Sequence, residues 1–161
     1  MNIHRKSYKA PWDLLLVFIT LVACVFLLGL NLITLSVIPL TLAVLVIGIC
    51  AAFGVYGYRI EDGKLRIKRL GWYKDLHLED INTVEFMPNA MKGSIRLFGI
   101  GGLFGYIGKF KNRPLSHYKA YATHRKRTVV ISCKNHGAYV ISPDKPEEFV
   151  QALKAFIVNE K

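Results

Sequence analysis

The sequence predicts an α+β membrane protein in which an N-terminal transmembrane α-hairpin precedes an antiparallel β-barrel or sandwich of about seven strands, capped by a C-terminal α-helix. The segment from Leu14 to Tyr58 contains no charged side chain. The rest of the chain alternates apolar with polar residues between turn signals and ends in an amphipathic stretch. The predicted domains are a cytoplasmic N-terminal segment (1–13), the hairpin (14–57) and the β-rich domain (58–161).

The uncharged segment is long enough for two membrane spans. One span needs about 20 apolar residues, and a single helix from Leu14 to Tyr58 would reach roughly twice the thickness of the hydrocarbon layer. A cluster of polar residues and breakers near Pro39 separates the two predicted spans. Lysines and arginines flank both outer ends of the hairpin, whereas the turn has none. This distribution predicts a location in the cytoplasmic (inner) membrane with both termini in the cytoplasm.

A different interpretation of the N-terminus starts from residues 21–24, which have the form of a bacterial lipoprotein cleavage box. In that case Cys24 would be lipidated and the domain exported. The residues after Cys24 stay apolar for a long stretch, whereas a lipid-anchored chain usually begins with a polar linker. The hairpin is therefore favoured.

The β-rich domain begins with a predicted hairpin. Tyr58 to Lys68 alternates on both sides of Asp62-Gly63, and Asp-Gly between alternating segments is a strong turn signal. Further strands are predicted at Trp72 to Leu78, Ile81 to Phe86, Tyr118 to Thr123, Thr128 to Cys133 and Ala138 to Ile141.

The end of the chain predicts an amphipathic helix. Asp144 and Glu147 have the spacing of a capping box. The apolar residues that follow recur on one helical face, at Phe149, Val150, Leu153, Phe156 and Ile157. Such a helix can cover the open end of a strongly bent sheet.

Several short motifs, taken in order, give the chain a family resemblance. After two apolar segments come Tyr58 to Ile67, Arg96 to Gly102, Tyr121 to Thr123, and Tyr139 to Pro143. In this order the chain resembles the bacterial pleckstrin-homology-like (bacterial PH domain) family of membrane-anchored proteins with two N-terminal transmembrane helices. The resemblance covers almost the whole chain and implies a PH-like barrel capped by a helix. It implies little about function, because one superfold serves many partners.

The net charge of +11 lies mostly after Tyr58 and predicts an anionic neighbour. Nucleic acid is not expected, because no recognised binding motif accompanies the charge. A domain held at a bilayer meets anionic headgroups first, so the lipid bilayer, and anionic lipid in particular, is the expected contact. In the alternative interpretation the charge only keeps the domain soluble and on the cytoplasmic side.

The segment 96–114 interleaves glycines with apolar and aromatic residues and then carries three cations. It matches neither a dinucleotide-binding fingerprint nor a P-loop. Either the glycines allow bends while the aromatic residues fill the core, or the segment presents apolar side chains to a bilayer surface or a partner. The charge run 124–127 is likewise either a solvated turn or a contact for a phosphate or an acidic protein.

No catalytic or metal-binding constellation is visible in the sequence. Cys24, Cys50 and Cys133 form no zinc or disulfide pattern, and the histidines lack partners at metal-ligand or nucleophile–base spacing. We therefore expect a non-enzymatic protein without a metal or other cofactor.

These observations predict a protein-interaction or assembly module at the cytoplasmic face of a bacterial membrane, with a protein partner or self-association. The alternative is an anionic-lipid-binding sensor of the membrane surface, and a third hypothesis is an enzyme or transport accessory that needs a partner chain. The candidate contact residues are cations and aromatic residues outside the hairpin, namely Arg66, Lys68, Arg69, Phe104, Tyr106, Lys109, Lys111, Arg113, Arg125, Lys126 and Arg127.

Overall fold

The computed structural model describes residues 5–34, 37–134 and 137–159. The α-helices in these residues are α1 (Leu14–Thr34), α2 (Val37–Phe53) and α3 (Pro146–Asn159). The strands are β1 (Lys6–Lys9), β2 (Gly57–Glu61), β3 (Lys64–Lys68), β4 (Tyr73–His77), β5 (Ile81–Phe86), β6 (Ile95–Gly101), β7 (Tyr106–Asn112), β8 (Ser116–Ala122), β9 (Val129–Cys133) and β10 (Gly137–Ile141).

The strands form two sheets that pack as an open sandwich. β1, β2, β3 and β4 follow one another in a four-stranded antiparallel sheet. The six-stranded sheet has the order β5-β9-β10-β8-β7-β6. Its neighbouring strands are antiparallel except β8 and β10, which are parallel. The predicted C-terminal helix is present as α3 and packs against β5.

The β2–β3 hairpin forms where the sequence predicts it. Asp62 and Gly63 have φ angles of 51° and 65°, and two consecutive residues with positive φ are what a type I′ turn requires. The alternation of the two strands then buries Ile60, Leu65 and Ile67 completely. The charged residues between them lie on the opposite face of the sheet.

The core between the sheets is completed by α3 and by Tyr58. Phe149 and Leu153 of α3 are fully buried in this core. The hydroxyl of Tyr58 donates to the carbonyl of Tyr121 at 2.7 Å and accepts the backbone N–H of Ser142 at 3.0 Å. One buried phenol therefore connects β2 of the four-stranded sheet with β8 and with the residue that follows β10.

The six-stranded sheet is also covered on its outer face. Val130 and Val140 belong to a second apolar cluster there, together with Ala90 and Met91 from the β5–β6 connection. Leu16 of α1 is fully buried in the same cluster, so the first turns of α1 pack on the domain. The candidate site lies at the rim of this second cluster.

The predicted barrel of about seven strands is wrong. The two sheets do not close on each other, and the described residues contain ten strands. β1 comes from the N-terminal segment and pairs with β2; the sequence predicts no strand there, because four residues are too few to show an alternation. β6 and β7 come from the glycine-rich segment, where glycines obscure the strand pattern.

The predicted transmembrane hairpin is also wrong, and with it the multi-pass membrane class and the inner-membrane location with both termini cytoplasmic. No helix among the described residues is long and apolar enough to cross a membrane. Helix α2 has 17 residues, or roughly 26 Å of rise against the ~30 Å of a hydrocarbon layer. The first turns of α1 are held by the domain, since Leu16 is buried and the hydroxyl of Thr20 donates to the carbonyl of Gly102 at 3.2 Å.

Two glycines of the 96–114 segment have a direct steric role. Gly99 of β6 lies opposite Gly108 of β7, and their φ angles are 113° and 133°. A Cβ built on Gly99 would lie 2.8 Å from the Cα of Gly108, which is closer than such atoms approach in proteins. The pair therefore lets the two backbones come closer together than side chains would permit.

We expect Gly99→Ala to lower the free energy of unfolding by about 2 kcal/mol or more, because it adds overlap with Gly108 to the strain of a positive φ. Gly93→Ala is the matched control, since Gly93 also has a positive φ of 67° but a Cβ there meets nothing within 4 Å. Urea denaturation of both full-length variants measures the difference. Equal losses in the two variants would contradict the close-packing role of Gly99.

Candidate functional site

Asp13 fixes the start of α1 to the loop between β8 and β9. Its Oδ1 accepts the backbone N–H of Leu16 at 2.6 Å, as an N-cap residue does. Its Oδ2 accepts the backbone N–H of Arg125 at 2.9 Å, and its own N–H donates to the carbonyl of Thr123 at 3.1 Å. Both carboxylate oxygens are thus engaged by backbone donors, at a helix end that favours negative charge.

The basic run 124–127 folds as a turn around His124. The Nδ1 atom of His124 accepts the backbone N–H groups of Lys126 and Arg127 at 3.2 and 3.3 Å. Burial lowers the pKa of His124; Asp13 opposes this shift, while Arg127 and Lys126 add to it. The imidazole is therefore neutral near pH 7, and the cations of this turn are the lysine and the arginines.

A cavity of about 460 Å³ opens between this turn, the first turn of α1 and the β5–β6 connection. We call it the outer cavity. It combines an apolar side from α1 with a cationic side from the two loops. Its lining residues are Asp13, Leu14, Leu15, Asn89, Lys92, His124, Arg125 and Lys126.

A second cavity, of about 160 Å³, lies against the second apolar cluster, and we call it the inner cavity. Arg125 lines both cavities, and its guanidinium lies 5.6 Å from the centre of the Tyr106 ring, within the range of a cation–π interaction. The inner cavity is lined by Met91, Ser94, Arg96, Gly101, Tyr106, Phe110 and Arg125.

A buried hydrogen-bond network reaches the inner cavity through Ser94. The side-chain amide of Asn112 donates to the carbonyl of Ala90 at 2.7 Å and to Oγ of Ser94 at 3.1 Å. Oγ of Ser94 in turn lies 2.6 Å from the hydroxyl of Tyr118. Burial raises the pKa of Tyr118, while the Ser94 hydrogen bond and the charge of Arg125 oppose that shift. Both hydroxyls are therefore protonated at neutral pH.

Tyr106 is the second phenol beside Arg125. Its side chain is only 5% exposed, and its buried hydroxyl makes no well-formed hydrogen bond to any described residue. Burial, and next the charge of Asp13, raises the pKa of Tyr106 to about 12, with a further contribution from Asp13 as a hydrogen-bond acceptor, although Arg125 acts in the opposite direction. A buried hydroxyl without a well-formed hydrogen bond is costly in a folded protein, which makes Tyr106 a candidate ligand contact.

The structure brings three of the predicted contact residues together. Arg125 and Lys126 line the outer cavity, and Arg125 and Tyr106 line the inner one. Phe104 does not reach either cavity, because its ring packs edge-on against Trp12 at 5.9 Å.

The other predicted contact residues lie away from the cavities. Arg66 is 3.5 Å from Glu61 and 3.8 Å from Asp75, and the guanidinium of Arg69 lies over the ring of Tyr121 at 5.1 Å. The remaining cations of the set are exposed, and they are Lys68, Lys109, Lys111, Arg113 and Arg127.

The contact residues predicted from the sequence do not include Asp13, Lys92, Ser94 or Arg96, which line the two cavities. Three of them come from segments that showed no motif. Arg96 did leave a signal, because it is the one charged residue of β6 and lies on an otherwise apolar strand. Among the described residues, no three His, Cys, Asp or Glu side chains lie close enough together to hold a metal ion.

One comparison with known proteins gives a match. Residues 56–157 match the model of a family described as the Bacterial PH domain. The matched region runs from the residue before β2 into α3, so it includes Arg125 and the inner cavity but not Asp13 or α1. No curated protein and no solved structure matches the chain.

The raised pKa of Tyr106 predicts a loss of stability at alkaline pH. The folded state holds the phenol proton with a pKa of about 12, against about 10 in an unfolded chain. The stabilisation is therefore complete below about pH 10 and is lost as the pH rises toward 12. We expect Tyr106→Phe to flatten the fall of the unfolding free energy over this range, measured by urea denaturation at stepped pH.

The half-exposed Tyr73 supplies the control for this measurement. Tyr73→Phe should keep the alkaline loss of the parent protein, to which the buried Tyr58, with its own pKa of about 12, also contributes. A pH profile of Tyr106→Phe that coincides with the parent would show that this hydroxyl is not held protonated by the fold.

Proposed function

Since the chain belongs to the bacterial PH domain family, whose members are typically non-catalytic modules that bind lipid or protein, we propose that it binds anionic phospholipid at the outer cavity. The family accounts for the general class of binding module. The choice of phospholipid rests on the chemistry of the cavity lining.

The observation that carries the proposal is that apolar and cationic side chains line the same cavity. Leu14 and Leu15 form one side, and Leu14 is 89% exposed. Lys92, Arg125 and Lys126 form the other side. A phospholipid joins an anionic phosphate to apolar chains, so it satisfies both sides at once. A free anion would leave the leucines uncovered, and an apolar ligand would leave the cations without a partner.

The charge of the cavity favours an anion despite the presence of Asp13. The lining holds three cations, Lys92, Arg125 and Lys126, against the single carboxylate of Asp13, whose two oxygens accept backbone N–H groups. No ion pair of the described residues involves Lys92, Arg125 or Lys126. Each such cation contributes on the order of 1 kcal/mol near an anionic lipid surface.

The free edge of β6 supports a second candidate function. We propose that this edge also serves as a docking site for an acidic, extended segment of a partner protein. Ile95, Leu97 and Phe98 are 69, 52 and 77% exposed on this edge strand. An exposed apolar edge is a template for an added strand.

The charges around β6 indicate the chemistry of that partner. Lys109 and Lys111 of β7 pair with Phe98 and Ile95 of β6, so two exposed cations flank the apolar side chains on one face. A second copy of this chain would bring like charges together, whereas an acidic strand would complement them.

We expect the full-length protein to bind vesicles that contain phosphatidylglycerol and to ignore vesicles of phosphatidylcholine alone. Lys92→Gln with Lys126→Gln should weaken binding roughly tenfold or more at low salt, because two headgroup contacts are lost. Leu14→Gln should also weaken binding, with little dependence on salt. Vesicle co-sedimentation measures each affinity.

The matched control is the double variant Lys134→Gln with Lys154→Gln, which changes the net charge equally at exposed positions outside the cavity. If this control weakens binding as much as the cavity variant does, the binding depends on net charge alone and the proposed site is wrong.

For the β6 edge, we expect a synthetic peptide of alternating Val and Glu to bind, and a Val and Lys peptide not to bind. Phe98→Gln should weaken binding at least about fivefold, since it removes the exposed apolar centre of the edge without changing the charge. Val158→Gln is the control, because Val158 of α3 is similarly exposed at 71%. Fluorescence anisotropy of the labelled peptides gives the affinities, and equal effects of both substitutions would exclude the β6 edge.

A further inference from the structure

We infer that the inner cavity is a binding site for a phosphate monoester group, held between Arg96 and Arg125. This inference deepens the proposed lipid binding. It rests on that proposed function only where the phosphate is carried by a lipid. The shared chemistry is a phosphate group with a free monoester dianion, carried either by a lipid headgroup or by a small soluble molecule.

The lining of the inner cavity is rich in donors. Arg96 and Arg125 contribute two guanidinium groups, each with several N–H donors and no acceptor. No Asp or Glu is among the described residues that line the cavity. Asp13 does not line this cavity, but its carboxylate acts on Tyr106 both through its charge and as a hydrogen-bond acceptor. The cavity therefore carries positive charge without an anion of its own.

The hydroxyl groups near the cavity also hold unused protons. Ser94 and Tyr118 share one hydrogen bond, so only one of their two hydroxyl protons is used in it. Asn112 already donates to Oγ of Ser94, which leaves one hydroxyl proton of the pair without an acceptor among the described residues. When Tyr118 donates to Ser94, the spare proton is that of Ser94, which lines the cavity and can donate to an incoming acceptor.

Tyr106 supplies an independent observation of the same kind. Its side chain is 5% exposed, and its buried hydroxyl makes no well-formed hydrogen bond among the described residues, although the Asp13 carboxylate is close enough to act on it. The raised pKa keeps the phenol protonated, so it is a donor. A buried donor without a well-formed hydrogen bond is uncommon in folded proteins, and an acceptor on a ligand would supply one.

The position of Arg96 is set by the strand register. Arg96 pairs with Phe110 and so shares its face of the sheet, toward the inner cavity. A Cβ built on Gly101 would lie 3.1 Å from Cδ of Arg96, so the absence of a side chain at Gly101 leaves room for the arginine. Two arginines with several donors match the three oxygens and double charge of a phosphate monoester better than the single charge of a diester.

The first arm of the test uses inorganic phosphate and the full-length protein. We expect phosphate to raise the Tm relative to chloride at equal ionic strength. Arg96→Gln should abolish the shift, and Tyr106→Phe should reduce it. Arg113→Gln is the matched control, because Arg113 is exposed and lines neither cavity. Arg96→Lys, which keeps the charge but loses the two-pronged contact, should retain only part of the shift.

The second arm compares vesicles of phosphatidic acid, a monoester, with vesicles of phosphatidylglycerol, a diester, at matched surface charge. We expect the parent protein to bind phosphatidic acid about tenfold more tightly. Arg96→Gln should remove this preference and leave the binding of phosphatidylglycerol in place. Arg113→Gln should keep the preference.

The two arms separate this inference from the proposed function. If Arg96→Gln changes neither the phosphate-dependent Tm nor the vesicle preference, the inner site is wrong while lipid binding at the outer cavity stands. If no vesicle binds but phosphate still stabilises the protein through Arg96, the inner site holds a soluble phosphate and the proposed lipid function is wrong. An equal Tm shift in chloride would also overturn the inner site.

Discussion

The carboxylate of Asp13 is the interaction on which the candidate site depends. It accepts the backbone N–H of Leu16 through one oxygen and that of Arg125 through the other. It thereby fixes the start of α1 against the β8–β9 loop, and it lines the outer cavity between them. The bond to Arg125 is made by its backbone N–H, and Arg125 lines both cavities.

The site exists because the six-stranded sheet buries both of its faces. In β9, Val129, Val130 and Ile131 are all buried, without the alternation that a sheet with one wet face shows. One face packs on the four-stranded sheet and α3, and the other on the β5–β6 connection and Leu16. The connection covers the second face incompletely, and the inner cavity lies where Met91 and Ser94 approach the strands.

The sequence predicts those parts of the fold whose signals are local. The β2–β3 turn follows from Asp62-Gly63, and α3 follows from its apolar face. β1 was missed because its pairing with β2 joins residues on opposite sides of both helices. The two apolar segments do form helices, but their composition alone predicts membrane spans. Composition cannot show that Leu16 packs in the second cluster of the domain.

One local irregularity explains why the site itself was only partly predictable. The register of β6 against β7 shifts between Arg96 and Phe98, so Leu97 is an extra residue and the alternation of faces restarts after it. Arg96 then faces the inner cavity with Phe110, while Phe98 shares the other face with Lys109. A regular strand would place Arg96 and Phe98 on the same face. Both the proposed phosphate site and the exposed apolar edge therefore depend on a bulge that only the pairing of two strands reveals.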